Sequence, residues 1–187
     1  AKRNAIGNRT FTFDGTGDYL EHVDLSGWGD QQNITVSAWF TSNDVGKLQT
    51  VVADWVQYDG GGVTITDGWN IFVQDGQVGV DIGYDNTAPL TIISDIDLEN
   101  NTWYHVAHTQ DAATDVSKIY VNGQYAMSIG IDSVYLEETR LRIGDGTFVT
   151  LGSPTLHGGQ FDGSIDEVAL WNRTLSDKQI KAIYEAS

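Results

Sequence analysis

The dipeptide Asn122-Gly123 constrains the fold of this 187-residue chain more strongly than any other feature. It separates two short runs of β-forming residues, Lys118–Val121 and Gln124–Ile129. A two-residue hairpin turn of type I′ needs positive φ at both central positions, which Asn and Gly tolerate best. The sequence therefore predicts an antiparallel hairpin at this point and a sheet around it.

Short β-prone runs continue at close spacing along the whole chain. Gly, Asn and Asp separate them, and Asp75-Gly76 predicts a second hairpin turn. Runs at this density favour a sandwich or a barrel over alternating strands and helices. The predicted strands are Thr10–Phe13, Tyr19–His22, Thr35–Phe40, Gln49–Asp54, Asn70–Val73, Gln77–Ile82, Trp103–Gln110, Lys118–Val121, Gln124–Ile129, Thr139–Ile143 and Gly163–Trp171.

The end of the chain follows a different pattern. Ser176 and Gln179 have the spacing of a capping box, and Ile180, Ile183 and Tyr184 recur at helical spacing. We expect one short C-terminal helix that packs on the rim of the strands. These patterns together predict an all-β chain that forms a single domain over residues 1–187.

Composition and charge exclude several classes of protein. An apolar fraction of 40% with six Trp supports a substantial packed core, and the absence of Cys excludes a disulfide framework. No apolar run approaches the roughly 20 residues that span a bilayer, so we expect no membrane insertion. Ten Lys and Arg against 26 Asp and Glu give a net charge of −16. Nucleic acid is therefore not an expected partner, because phosphate neutralisation needs basic clusters.

The acidic residues are mostly Asp, with 20 Asp and six Glu. Asp is a turn and loop residue and also a ligand of hard cations. One explanation is a loop-rich domain that its charge keeps soluble. The other is coordination of Ca²⁺, the cofactor that this composition leads us to expect.

Three segments carry a more specific signal. Trp103-Tyr-His-Val-Ala-His-Thr109 leads into Tyr120-Val-Asn-Gly123, and Phe13–Leu20 precedes Ile34–Phe40. The third segment is Phe161-Asp-Gly-Ser-Ile-Asp-Glu-Val-Ala-Leu-Trp-Asn-Arg-Thr-Leu-Ser176. These motifs resemble the laminin G-like, pentraxin-like branch of the concanavalin A-like lectin/glucanase superfamily. The resemblance implies an antiparallel two-sheet jelly-roll sandwich with one short C-terminal helix. With no signal peptide opening the sequence, we expect an extracellular or cell-surface module of a larger secreted protein.

Two stretches, Trp55–Trp69 and Gly144–Asp162, are long and polar, which is typical of binding loops. The first could instead form a small hairpin with its turn at Gly61-Gly62. The resemblance implies calcium held by Asp59 or Asp67 from the first stretch and Asp145 from the second, with Gln160 as a late ligand. Relatives usually carry several acidic or amide residues after the Ile-Gly motif. Here Asp145 stands alone, which predicts a weaker site.

A second calcium position implied by the resemblance pairs Asp14 or Asp18 with Asp166. Both Asp14-Gly15 and Gly17-Asp18 are also ordinary turn pairs, and the turn interpretation is the simpler one.

A sugar ring needs a flat aromatic surface beside amides or carboxylates. The predicted ligand-binding residues are those in or beside the candidate loops, and core packing is the alternative for each aromatic among them. They are Trp55, Tyr58, Trp69, Tyr84 and Asn86, with Gln160 from the later loop.

No catalytic pattern accompanies these residues. Glucanases of the superfamily place two carboxylates on one side of a strand, whereas Asp166 and Glu167 are adjacent and face opposite sides. His105 and His108 differ by an odd number and also face opposite sides, which argues against a paired role.

We therefore expect a non-catalytic, calcium-assisted, lectin-like module whose partner is a glycan or polysaccharide. The alternative is a protein-interaction, adhesion or spacer module with a cell-surface or matrix protein as partner. A third reading is a carbohydrate-targeting appendage of a polysaccharide-degrading enzyme, and a less favoured one is that the chain is itself a polysaccharide-active enzyme. The sequence does not identify the sugar.

Overall fold

The computed structural model describes residues 10–22, 33–59, 64–83, 90–131, 141–146 and 158–187, and only the backbone of residues 55–59 and 64–67. This part of the chain contains twelve strands and one helix. They are β1 (Phe11–Asp14), β2 (Leu20–His22), β3 (Ile34–Ser42), β4 (Gln49–Asp59), β5 (Thr64–Gln74), β6 (Gln77–Gly83), β7 (Leu90–Ile93), β8 (Tyr104–Asp111), β9 (Val116–Val121), β10 (Gln124–Gly130), β11 (Leu141–Ile143), β12 (Asp162–Trp171) and α1 (Asp177–Ala186).

The strands form two six-stranded antiparallel sheets. Sheet A has the order β1-β12-β3-β8-β9-β10, and sheet B has the order β2-β11-β4-β5-β6-β7. The Asn122-Gly123 turn joins β9 to β10, and both residues have positive φ, as the sequence predicted. The predicted fold class, a two-sheet jelly roll with one short C-terminal helix, is confirmed.

Alternation along the strands builds the core between the sheets. Val36, Ala38 and Phe40 of β3 are fully buried, and so are Val80 and Ile82 of β6. Successive strand residues point to opposite faces, so each sheet also has an outer face, and the two outer faces lie on opposite sides of the molecule. Any binding surface must therefore be assigned to one of these faces or to the strand ends.

Helix α1 covers part of the outer face of sheet A rather than the rim, which corrects the expected position. Ile180 is fully buried against Ala107 and Tyr120. Tyr184 stacks on Trp39, with ring centroids 5.5 Å apart. The helix begins as predicted, because the Ser176 N–H donates to Gln179 Oε1 at 3.0 Å.

Two strand predictions need correction. Trp55–Trp69 is not a long loop, because β4 and β5 continue as a hairpin until Asp59 lies opposite Thr64. The hairpin alternative is thus confirmed, while its turn lies outside the described residues. Strand β7 (Leu90–Ile93), at the edge of sheet B, was not predicted. Among the described helical residues, none forms a segment long and apolar enough to cross a membrane.

Candidate functional site

The β4–β5 hairpin separates the residues predicted to share a calcium ion. Strand β11 pairs Ile143 with Val52, and the Gly144 N–H donates to Val51 O, so Asp145 lies near the Gln49 end of β4. Asp59 ends the same strand in the other direction. At about 3.3 Å per residue, nine residues separate the two levels by roughly 25–30 Å. Asp59 and Asp145 therefore cannot bind one ion.

Asp67 fails for the same reason. It pairs with Val56, six residues along β4 from the level of Asp145, which is roughly 20 Å. Asp59 and Asp67 also differ by three ladder positions, about 10 Å. The long-loop prediction had allowed these residues to converge, and the hairpin holds them apart.

Asp145 and Gln160, both predicted as calcium ligands, are brought together by an isolated antiparallel bridge. Gly144 makes this possible with φ of +84°, a conformation that strongly favours glycine. A Cβ at Gly144 would also overlap the Phe13 ring. The reversal at this residue ends β11 and directs the Asp145 side chain back over Arg142.

Arg142 is the centre of a charged group that we call the Arg142 cluster, formed by Tyr19, Glu21, Arg142 and Asp145. Its Nε lies 2.6 Å from Glu21 Oε2, and its Nη1 lies 3.3 Å from Asp145 Oδ2. The guanidinium carbon is 4.7 Å from the centroid of the Tyr19 ring, a cation–π contact. Two carboxylates and an aromatic ring thus fix one cation.

This arrangement does not fit a calcium ion at Asp145. The Asp145 side chain is only 4% exposed, and the cation beside it is Arg142. Calcium usually takes six to eight oxygen ligands. Among the described residues, no group of three or more His, Cys, Asp and Glu could hold a metal ion.

The Arg142 cluster begins a row of side chains across the outer face of sheet B. Neighbouring residues in this row are related by the strand registers, and the row runs Glu21, Arg142, Ala53, Asn70, Asp81, Thr91. The Thr91 hydroxyl donates to Asp81 Oδ1 at 2.7 Å. Asn70 and Asp81 in the middle of the row are almost fully buried, whereas Glu21 at its β2 end is exposed and Arg142 and Thr91 are half-buried.

The second predicted calcium position is not assembled. Strand β1 places Asp14 opposite Asp162, whereas Asp166 lies four residues further along β12, roughly 13 Å away. Asp14 Oδ1 accepts the Thr16 N–H at 2.8 Å, and Asp18 Oδ2 accepts the Asp14 N–H at 3.3 Å. These are turn contacts, which supports the simpler interpretation.

The predicted aromatic platform is corrected at Trp69, whose side chain is fully buried in the core. Trp55 and Tyr58 lie in β4, but their side chains are not among those described, and Tyr84 and Asn86 lie outside the described residues. Tyr19 is the aromatic that the sequence analysis missed. It is 46% exposed. The available signal was the alternation Tyr19, Glu21, which places both on one face of a short strand.

The two central histidines face opposite sides of β8, as predicted. His108 lies inside the sandwich near Trp69, and His105 lies between Trp39 and Tyr184 under α1. Burial lowers the pKa of His105 to about 4 and that of His108 to about 3. Both imidazoles are therefore neutral near pH 7, and neither belongs to the Arg142 cluster.

Comparison with known proteins assigns the chain to a family. The model of a laminin G-type family, described as concanavalin A-like lectin/glucanases superfamily, matches residues 14–181. The chain belongs to that superfamily, and the resemblance seen in the sequence is confirmed. A search of the curated proteins gave no match.

Several solved structures share the fold at low sequence identity. The sialidase CBM40 of Ruminococcus gnavus bound to α2,3-sialyllactose is 13% identical, with a TM-score of 0.71, covering 94% of this chain and 96% of that one. A SAP-like pentraxin of Limulus polyphemus is 14% identical, with a TM-score of 0.66 and coverages of 92% and 80%. The botulinum neurotoxin serotype D binding domain is 18% identical, with a TM-score of 0.68 and coverages of 98% and 44%. At these identities the likeness shows the fold alone.

Proposed function

We propose that this protein is a non-catalytic carbohydrate-binding module that contacts its glycan at the Arg142 cluster. The observation that carries the proposal is the exposed Tyr19 ring held beside three charged side chains at the β2 end of the described part of sheet B. Sugars present an apolar ring face together with a rim of hydroxyls. Their binding sites usually place an aromatic ring against the apolar face and planar polar groups beside the hydroxyls.

The cluster can supply both kinds of contact. Tyr19 offers a ring face for stacking, Glu21 has acceptor oxygens and Arg142 has several N–H donors. Gln160 adds an amide next to Asp145 through the bridge. Because two ion pairs already fix the Arg142 side chain, binding would lose little side-chain entropy there.

Known proteins of the same fold support this assignment. The Ruminococcus gnavus CBM40 is described as bound to sialyllactose, which shows that the jelly-roll fold can carry a glycan site. We extend that role to this chain and infer a secreted or cell-surface location. The absence of catalysis is part of the proposal, since the sequence carries no Glu-x-Asp-x-(x)-Glu strand of the kind that glucanases of the superfamily use.

Calcium assistance stays a prediction. Arg142 supplies the positive charge beside Asp145, so binding at this cluster needs no metal ion. Calcium bound elsewhere on the chain would show itself as a loss of glycan binding in EDTA.

The test is a glycan array of plant, algal and animal saccharides with Ca²⁺ and again with EDTA. The variant Tyr19→Ala should lose, in both conditions, binding to the glycans that are recognised at this cluster. Phe11→Ala, which removes another exposed aromatic ring from sheet A, is the matched control and should bind as the original does. Binding by Tyr19→Ala at the original strength would refute the site. Silence across the array would favour the protein-interaction or spacer alternative.

A further inference from the structure

A groove lies on the outer face of sheet A, on the side of the sandwich opposite to the Arg142 cluster. It runs between strands β8 and β9 and the start of α1, and its volume is about 530 Å³. That volume lies within the roughly 300–1,000 Å³ typical of small-molecule sites. Thr109, Tyr120 and Leu175 form a buried floor, while Lys118 and Asp177 stand exposed at the edge.

The polar groups of the groove are mostly hydroxyls and are already ordered. The Tyr120 hydroxyl donates to Asp177 Oδ1 at 2.8 Å, and Lys118 Nζ lies 3.5 Å from the same oxygen. The Tyr120 hydrogen bond holds the pKa of Asp177 below its usual value. Thr114 and Ser176 add hydroxyls at the walls.

The formal charges of the groove cancel. Lys118 and Lys178 line it together with Asp111 and Asp177. This balance is unusual in a chain with a net charge of −16. A charged ligand would meet an opposing charge for every favourable one, whereas an uncharged ligand with many hydroxyls would find donors and acceptors on all sides.

An exposed aromatic ring lies next to the groove floor. Tyr125 of β10 pairs with Tyr120, with ring centroids 6.3 Å apart in an edge-on arrangement. The Tyr125 side chain is 52% exposed, and its hydroxyl lies 2.9 Å from Ser128 Oγ. Such a fixed, exposed ring suits the apolar face of a sugar.

From this geometry we infer that the groove is a second binding site, specific for an uncharged saccharide of about two sugar units. The inference goes beyond the proposed function, because the two sites lie on opposite sheets and share no residue. A module with both sites would bind two saccharide chains at once. Each site can therefore fail without the other.

The experiment is a titration of the ¹⁵N-labelled protein with lactose, maltose and cellobiose, followed by amide chemical shifts. At least one disaccharide should shift the amides of Thr109, Lys118 and Ser176. Thr114→Trp places a large ring in the groove and should weaken that response by about tenfold or more. Ala113→Trp is the matched control, since Ala113 lies in the same turn but does not line the groove.

Three results would overturn the inference. They are no shift of the groove amides with any of the three sugars, an equal response in Thr114→Trp, and a stronger response to the acidic 3′-sialyllactose than to lactose. Tyr19→Ala should leave the groove response intact. Groove shifts without any response at Tyr19 and Arg142 would uphold this second site and show that these disaccharides do not bind at the first.

Discussion

His105 offers the sharpest test of how the helix is held on sheet A. His105 is 1% exposed and lies between Trp39 and Tyr184, and neither ring nitrogen has a hydrogen-bond partner among the described residues. Burial lowers its pKa from 6.5 to about 4. Because the pKa is lowered in the folded state, His105 binds a proton in the unfolded chain but not in the folded chain between pH 6.5 and about 4. Stability therefore falls as the pH drops through this range.

The size of the effect follows from the two pKa values. Relative to a pH above 6.5, the lost free energy of unfolding at about pH 4.5 is about 2.5 kcal/mol for His105 alone. His105→Phe keeps a ring of similar shape and cannot be protonated. Its free energy of unfolding should therefore fall about 2.5 kcal/mol less than that of the original protein between about pH 7.5 and about pH 4.5.

Urea unfolding at the two pH values, followed by tryptophan fluorescence, measures this difference. The carboxylates and His108 titrate in both proteins, so the comparison cancels them. His22→Phe, the same change at an exposed position, should show no such gain. An equal acid loss in His105→Phe and in the original protein would refute the argument that His105 is buried in its neutral form.

Three further predictions concern stability and are checked by urea unfolding. Asp145→Asn should lower the free energy of unfolding by about 1–3 kcal/mol, because it breaks a buried ion pair with Arg142, and Glu21→Gln by less; the reverse order would contradict the assigned burial. Gly123→Ala should destabilise the protein by more than Gly17→Ala. Both glycines have positive φ, but only a Cβ at Gly123 would approach the Tyr184 side chain, at 2.8 Å. Equal losses of stability would mean that α1 shifts away from the new Cβ at no cost. Trp69→Phe should destabilise the protein by about 1–3 kcal/mol and leave glycan binding unchanged. Loss of binding in a folded variant would mean that Trp69 belongs to the binding site after all.

Several features of the fold could be read from local sequence. The Asn122-Gly123 turn, the Ser176 cap and the strand alternation each depend on residues close together in the chain, and the structure confirms all three. The strand pattern by itself allowed a sandwich or a barrel, and the two-sheet jelly roll was implied by the resemblance to the family. The resemblance implied that Asp145 and Gln160 hold one calcium ion, and the structure joins the two residues in an isolated bridge.

The candidate site depended on strand register, which local sequence does not determine. Loop length alone suggested that Asp59, Asp67 and Asp145 could meet, but the β4–β5 ladder holds them far apart. The same ladders place Glu21 and Arg142 side by side, although 121 residues separate them in the chain. Local propensities determined which segments became strands. Only the packing of two sheets around one core decided which side chains share a face, because a shift of one residue in register moves every side chain to the other side.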